Sequence, residues 1–197
     1  MEDEKTEIRV MVLCFLFCLI FIGIIGRASY VCNCVHTDHD VPDITVPLMN
    51  IAVLNSTKTR FSAKWNLSIR VPNTLPGPFI CLQGDFQASL LYKNITIATS
   101  PAKSYNNLQP YWAQLLKVSG VVSEEDTNGA IAKNIMGDIK ETNEVWFGSR
   151  LFFPDCREMT TGMMSYTCDE AKFHIDSNSQ ITATAFGNPI CHYDYDH

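Results

Sequence analysis

Two short stretches of this chain gather side chains that bind soft metals. Cys32-Asn33-Cys34-Val35-His36-Thr37-Asp38-His39-Asp40 is one, and Cys191-His192-Tyr193-Asp194-Tyr195-Asp196-His197 is the other. Thiolate and imidazole side by side suit zinc or copper. Zinc motifs use wider cysteine spacings, however, so we read the first stretch as a stalk and the second as a frayed tail, both with oxidised cysteines and no metal. For catalysis the chain offers little. It has no Gly-x-Ser-x-Gly, no His-Glu-x-x-His and no glycine-rich phosphate loop. Asp169-Glu170 are adjacent, so a regular strand points them to opposite faces. His174 has no evident acid partner. The expectation is a non-enzyme without a cofactor. Gln83-Gly84-Asp85 lacks the arginine of an adhesion tripeptide and reads as a turn before a strand. Trp65, Trp112 and Trp146 are expected in the core rather than along a ligand groove.

The elements that must position these residues begin with an apolar run. Residues 10–26 carry no charge and lie between Arg9 and Arg27. Only a helix lets one isolated segment satisfy its own backbone in lipid, and seventeen residues give roughly 26 Å, the short end for a ~30 Å hydrocarbon core. The residues before it, with four acids against two bases, are unlike the basic start of a cleaved signal, although Gly26 and Ala28 are spaced like a cleavage site. The reading is an uncleaved signal anchor: residues 1–9 a cytosolic tail, 10–26 a transmembrane helix, 27–43 a stalk, and 44–197 a lumenal or extracellular domain. The membrane is then the plasma membrane or the endoplasmic reticulum.

Residues 28–197 hold twelve basic against seventeen acidic side chains, with no basic cluster. Nucleic acid is therefore not an expected partner. The six cysteines beyond the apolar run allow fifteen disulfide pairings in an oxidising compartment. Three sequons, at Asn55, Asn66 and Asn94, are expected glycan acceptors.

From Ile44 the pattern is that of strands. Ile44, Val46 and Leu48 alternate. Phe61, Ala63, Trp65, Leu67, Ile69 and Val71 place six apolar residues on one face, with Asn66 on the other. Phe86, Ala88, Leu90 and Tyr92 alternate before a hairpin at Asn94, and residues 111–122 read as a further strand. Ser123-Glu124-Glu125-Asp126 has the shape of a capping box for the one soluble helix, with Ile131 and Ile135 on one face and Gly137 at its end. Val145, Phe147, Ser149, Leu151 and Phe153 alternate, as do Met164, Tyr166 and Cys168. Short strands with turns between them predict a mainly β fold, an antiparallel β-sandwich with one short helix. Residues 164–168 and 181–191 read as neighbouring strands, which predicts a Cys168–Cys191 disulfide, with Cys156 the rival for Cys168.

The order of these features resembles the plant late embryogenesis abundant group 2 family, in its membrane-anchored, harpin-induced-like branch. The stretch Phe61-Ser62-Ala63-Lys64-Trp65-Asn66-Leu67-Ser68-Ile69-Arg70-Val71 is similar to the family's long strand with its Trp. Ala88-Ser89-Leu90-Leu91-Tyr92 is similar to its strand ending in an aromatic residue, and Cys168-Asp169 and Cys191 to its late cysteines. The family's Asn-Pro-Asn stands here as Val71-Pro72-Asn73, and Ser100-Pro101-Ala102 replaces its Pro-Pro-Phe segment. The resemblance implies a non-enzymatic membrane protein of stress or defence with an unknown protein partner. Two other classes stay open: a protectant of membranes during desiccation or stress, and a ligand-binding β-domain secreted after signal cleavage.

Overall fold

The computed structural model describes residues 19–23, 41–56, 60–123, 129–157, 162–174, 182–184 and 188–195. It divides into two units, residues 1–40 and 41–197. In the first, residues 19–23 are helical, and the rest of the predicted anchor lies outside the described residues. Among those, no helix is long and apolar enough to cross a membrane.

The second unit is mainly antiparallel β. Its elements are β1 (Ile44–Ser56), β2 (Phe61–Val71), β3 (Gly84–Tyr92), β4 (Ile95–Thr99), β5 (Lys103–Tyr105), β6 (Gln114–Val122), α1 (Gly129–Thr142), β7 (Glu144–Pro154), β8 (Met163–His174), β9 (Thr182–Thr184) and β10 (Ile190–Tyr193). The strands do not form the two separate layers expected of a sandwich. They join one sheet in the order β4-β3-β7-β8-β10-β1-β2-β6, with β5 on β3 and β9 on β1. The sheet curls until β4 approaches β6, giving a nearly closed barrel. Alternation alone does not separate the two architectures, because both ask each strand for one inward face.

The inward face of β2 is as its sequence demands: Phe61, Ala63, Trp65, Leu67, Ile69 and Val71 are all buried. Phe86 stacks on Phe153 with ring centres 5.5 Å apart, and Phe147 meets Phe173 edge-on at 5.7 Å. Two bulges correct the expected alternation. In β1 the register slips between Thr45 and Leu48, so Leu48 turns outward while Met49 and Ile51 enter the core. Between β7 and β8 it slips at Gly148, so Asp169 and Glu170 are both exposed rather than on opposite faces.

Helix α1 packs Ala132 and Ile135 into the core. The expected cap residues 124–126 lie outside the described residues, and the first turn holds no acid. Gly137 does not end the helix. Asn143 does, at φ 54°, with its N–H bonded back to the carbonyl of Ile139. Asn tolerates this left-handed turn almost as well as Gly.

The two ends of the barrel differ. One holds the last residues of β1, β3 and β6, the first of β7, and α1. The other holds the first residues of β1, β3 and β6 and the last of β2 and β7, as the ladders Thr45–Arg70–Leu115 and Val71–Gln114 require.

Candidate functional site

The seam where β6 faces β4 and β5 is not closed by a continuous ladder. Lys103 Nζ donates to the carbonyl of Lys117 across it at 2.6 Å. Beside this bridge lies a concavity of about 550 Å3, lined by Lys64, Trp65, Asn66, Thr99, Pro101 and residues 119–121. The lining holds one lysine, one amide and two hydroxyls and no acid. These groups can donate and accept hydrogen bonds to a bound molecule.

Asn66 stands in this concavity, exposed on the outward face of β2, on one rung with Asn50 and Ser119. Asn94 occupies the two-residue turn between β3 and β4. Lys93 and Asn94 there have φ 49° and 62°, the left-handed pair that such hairpins require. Tyr92 donates to Asp138 Oδ2 of α1 at 2.6 Å, and Lys93 Nζ lies 3.1 Å from the same oxygen, so the turn is tied to the helix. Burial first, then that bond, raises the Tyr92 phenol above its ordinary range. Asn55 is exposed near the end of β1, while Thr57 of its sequon is outside the described residues. Asn55 and Asn94 therefore share the α1 end of the barrel.

Among the described residues four cysteines form two disulfides. Cys168 and Cys191 face each other in the β8–β10 ladder and are bonded. Cys156, the rival for Cys168, is bonded instead to Cys81, tying the β2–β3 connection to the end of β7. No local signal in the sequence marks that pair, which is 75 residues apart. Cys32 and Cys34 lie outside the described residues.

The C-terminal stretch is not frayed as far as it is described. Cys191 points into the core while His192 points out, so strand alternation keeps the two from sharing a metal. His192 Nδ1 instead lies 2.9 Å from Asp43 Oδ1. Asp194 accepts from Ser165 at 2.6 Å and from Thr167 at 3.0 Å. Among the described residues no group of three His, Cys, Asp or Glu could hold a metal ion. His174 lies opposite Glu144 in the ladder, but that carboxylate is 2.6 Å from Lys172 Nζ.

The tryptophans also depart from expectation. Trp65 is in the core, but Trp146 is 48% exposed under Lys172, and Trp112 is 67% exposed. The reason at Trp112 is local. The strand expected from residue 111 begins only at Gln114, whose amide donates to the carbonyl of Gln109 at 3.0 Å and holds residues 109–113 in a turn.

Residues 127–193 match a family model described as "Protein of unknown function (DUF1163)". That segment runs from just before α1 to the last residue of β10, about a third of the chain, and leaves β1 to β6 outside it. No curated protein and no solved structure matches the chain.

Proposed function

We propose that this chain is a non-enzymatic, single-pass membrane protein of the late embryogenesis abundant group 2 type, whose barrel is a lumenal or extracellular interaction module in plant stress or defence. The seam concavity is the observation that carries the reading. It is open, mixes apolar with polar lining, carries one positive charge, and offers a partner hydrogen bonds from Lys64, Asn66, Thr99 and Ser119. The apolar run at residues 10–26 supports attachment to the plasma membrane or the endoplasmic reticulum. Asn66 stands in the concavity, so the partner reads its glycosylation state as well.

A photo-reactive phenylalanine analogue in place of exposed Val121, on the concavity, tests this in native membranes. One discrete adduct is expected, and it should be lost when Lys64→Glu is added. Absence of any adduct from Val121 and from Ser119 alike, with the protein folded, rejects the module reading.

A further inference from the structure

We propose that the barrel end opposite α1 rests in the interfacial layer of a lipid bilayer, with Tyr111 and Trp112 as its contact residues. The inference rests on the membrane attachment proposed above.

Three independent observations converge on that end. The first is exposure. Tyr111 is 80% and Trp112 67% exposed, in the loop before β6, and Leu115 beside them is 60% exposed. The β2–β3 connection adds exposed Leu82, whose carbonyl accepts from the N–H of Leu108 in the same neighbourhood. Two adjacent aromatic side chains with polar tips are costly to leave in water and suit the headgroup layer, where the ring is half desolvated and the tip stays wet. Arg70, exposed and opposite Leu115 on the ladder, adds a donor for lipid phosphate.

The second observation is where the chain enters. Ile44 opens β1 at this same end, on the rungs next to Arg70 and Leu115. Fourteen residues, 27–40, separate the apolar run from the described barrel, and even fully extended they reach only about 50 Å. A tether this short raises the local concentration of the bilayer at the barrel, so a weak contact suffices.

The third is the placement of the sequons. Asn55 and Asn94 lie at the opposite end and Asn66 midway along β2. Glycans at these positions leave the aromatic end clear. The unit's acids and its mild net negative charge argue against attraction to anionic lipid, so the partner fitted here is a zwitterionic surface.

The test uses the full chain in phosphatidylcholine vesicles, with a lipid brominated high on its acyl chains as the quencher. Trp65 is buried beyond the reach of bromine, so in a W146F protein the quenchable part of the emission is that of Trp112. Seating in the bilayer should blue-shift its emission and shallow bromine should quench it, and adding Trp112→Phe should remove both effects. Trp112→Glu should also remove them while the Trp65 emission is unchanged. Separately, an alkaline carbonate wash reads attachment. Protein that stays in the vesicles with unquenched Trp112 overturns the proposal and leaves attachment standing. Protein released by the wash overturns attachment, and if Trp112 was also unquenched beforehand the proposal falls with it. Protection of Trp112 from a soluble quencher in native membranes but not in pure lipid assigns this end to a protein and likewise overturns it.

Discussion

Gly120 of β6 lies directly across the ladder from Trp65 of β2, and a methyl group on Gly120 would stand 2.5 Å from the indole Cζ2. The same methyl would be 2.9 Å from Nε1, a buried donor without a hydrogen-bond partner among the described residues. The indole fills the space a side chain at residue 120 would take. Gly120→Ala should therefore destabilise the barrel by about 1–3 kcal/mol, the usual cost of overpacking. Thermal unfolding in detergent measures it. In a Trp65→Phe background the alanine should cost much less, because the smaller ring vacates the clash. An equal cost in both backgrounds rejects the packing explanation.

The two disulfides should differ in both weight and accessibility. Cys81–Cys156 closes a separation of 75 residues and Cys168–Cys191 one of 23. In the chain-entropy picture these are worth about 4 and about 3 kcal/mol. Cys156 is exposed, whereas Cys168 and Cys191 are buried. Mild reductant with timed alkylation should label Cys81 and Cys156 first, because attack on sulfur needs access. Equal labelling of all four at early times would contradict this order.

At the β3–β4 turn, glycosylation and folding can be separated. Asn94→Gln and Thr96→Ala both delete the sequon and should give the same gain in gel mobility. Only the first puts an ill-suited residue at φ 62°. Asn94→Gln should lose about 1 kcal/mol relative to Thr96→Ala, the cost of a left-handed conformation without Asn or Gly. Equal melting temperatures would show that the turn does not depend on Asn.

Burial, and secondarily the Asp85 carboxylate, push the Tyr105 phenol up to about 12. Its hydroxyl donates to the carbonyl of Cys81 at 2.8 Å. The folded state thus holds the neutral phenol more firmly than the unfolded chain, where it titrates near pH 10. That contribution is complete below about pH 10 and is lost as pH rises through about 12. Tyr105→Phe should cost about 1 kcal/mol at neutral pH for the missing hydrogen bond. It should also flatten the alkaline decline and remove one late-titrating phenol from the ultraviolet titration. An unchanged titration curve would rule this assignment out.

The strands were legible where a single face is buried throughout. Phe61 to Val71 alternate without interruption, and every inward residue of β2 is in the core. The departures arise where a partner strand decides. The slips at Thr45 and Gly148 depend on what β2 and β8 present, and no local pattern announces them. Barrel closure is of the same kind, since it depends on which strands meet at β4 and β6. Gly137 looked like a helix end because glycine favours ends, yet glycine is also tolerated inside, and Asn143 ends the helix instead. In the concavity, Asn66 was visible as an outward sequon. Thr99, Ser119 and Gly120 were not, because only the curl of the sheet brings them to it.

The seam held by Lys103 and Lys117 bears on how copies of this protein coexist. A sheet's terminal strand is a template on which a neighbouring chain can add its own, the first step toward fibrous aggregates. Here the two terminal strands face each other, and the Lys103 ammonium reaches across to the carbonyl of Lys117. An approaching backbone meets charge where it seeks amides and carbonyls. Such a guarded edge disfavours strand-to-strand pairing between copies of this protein.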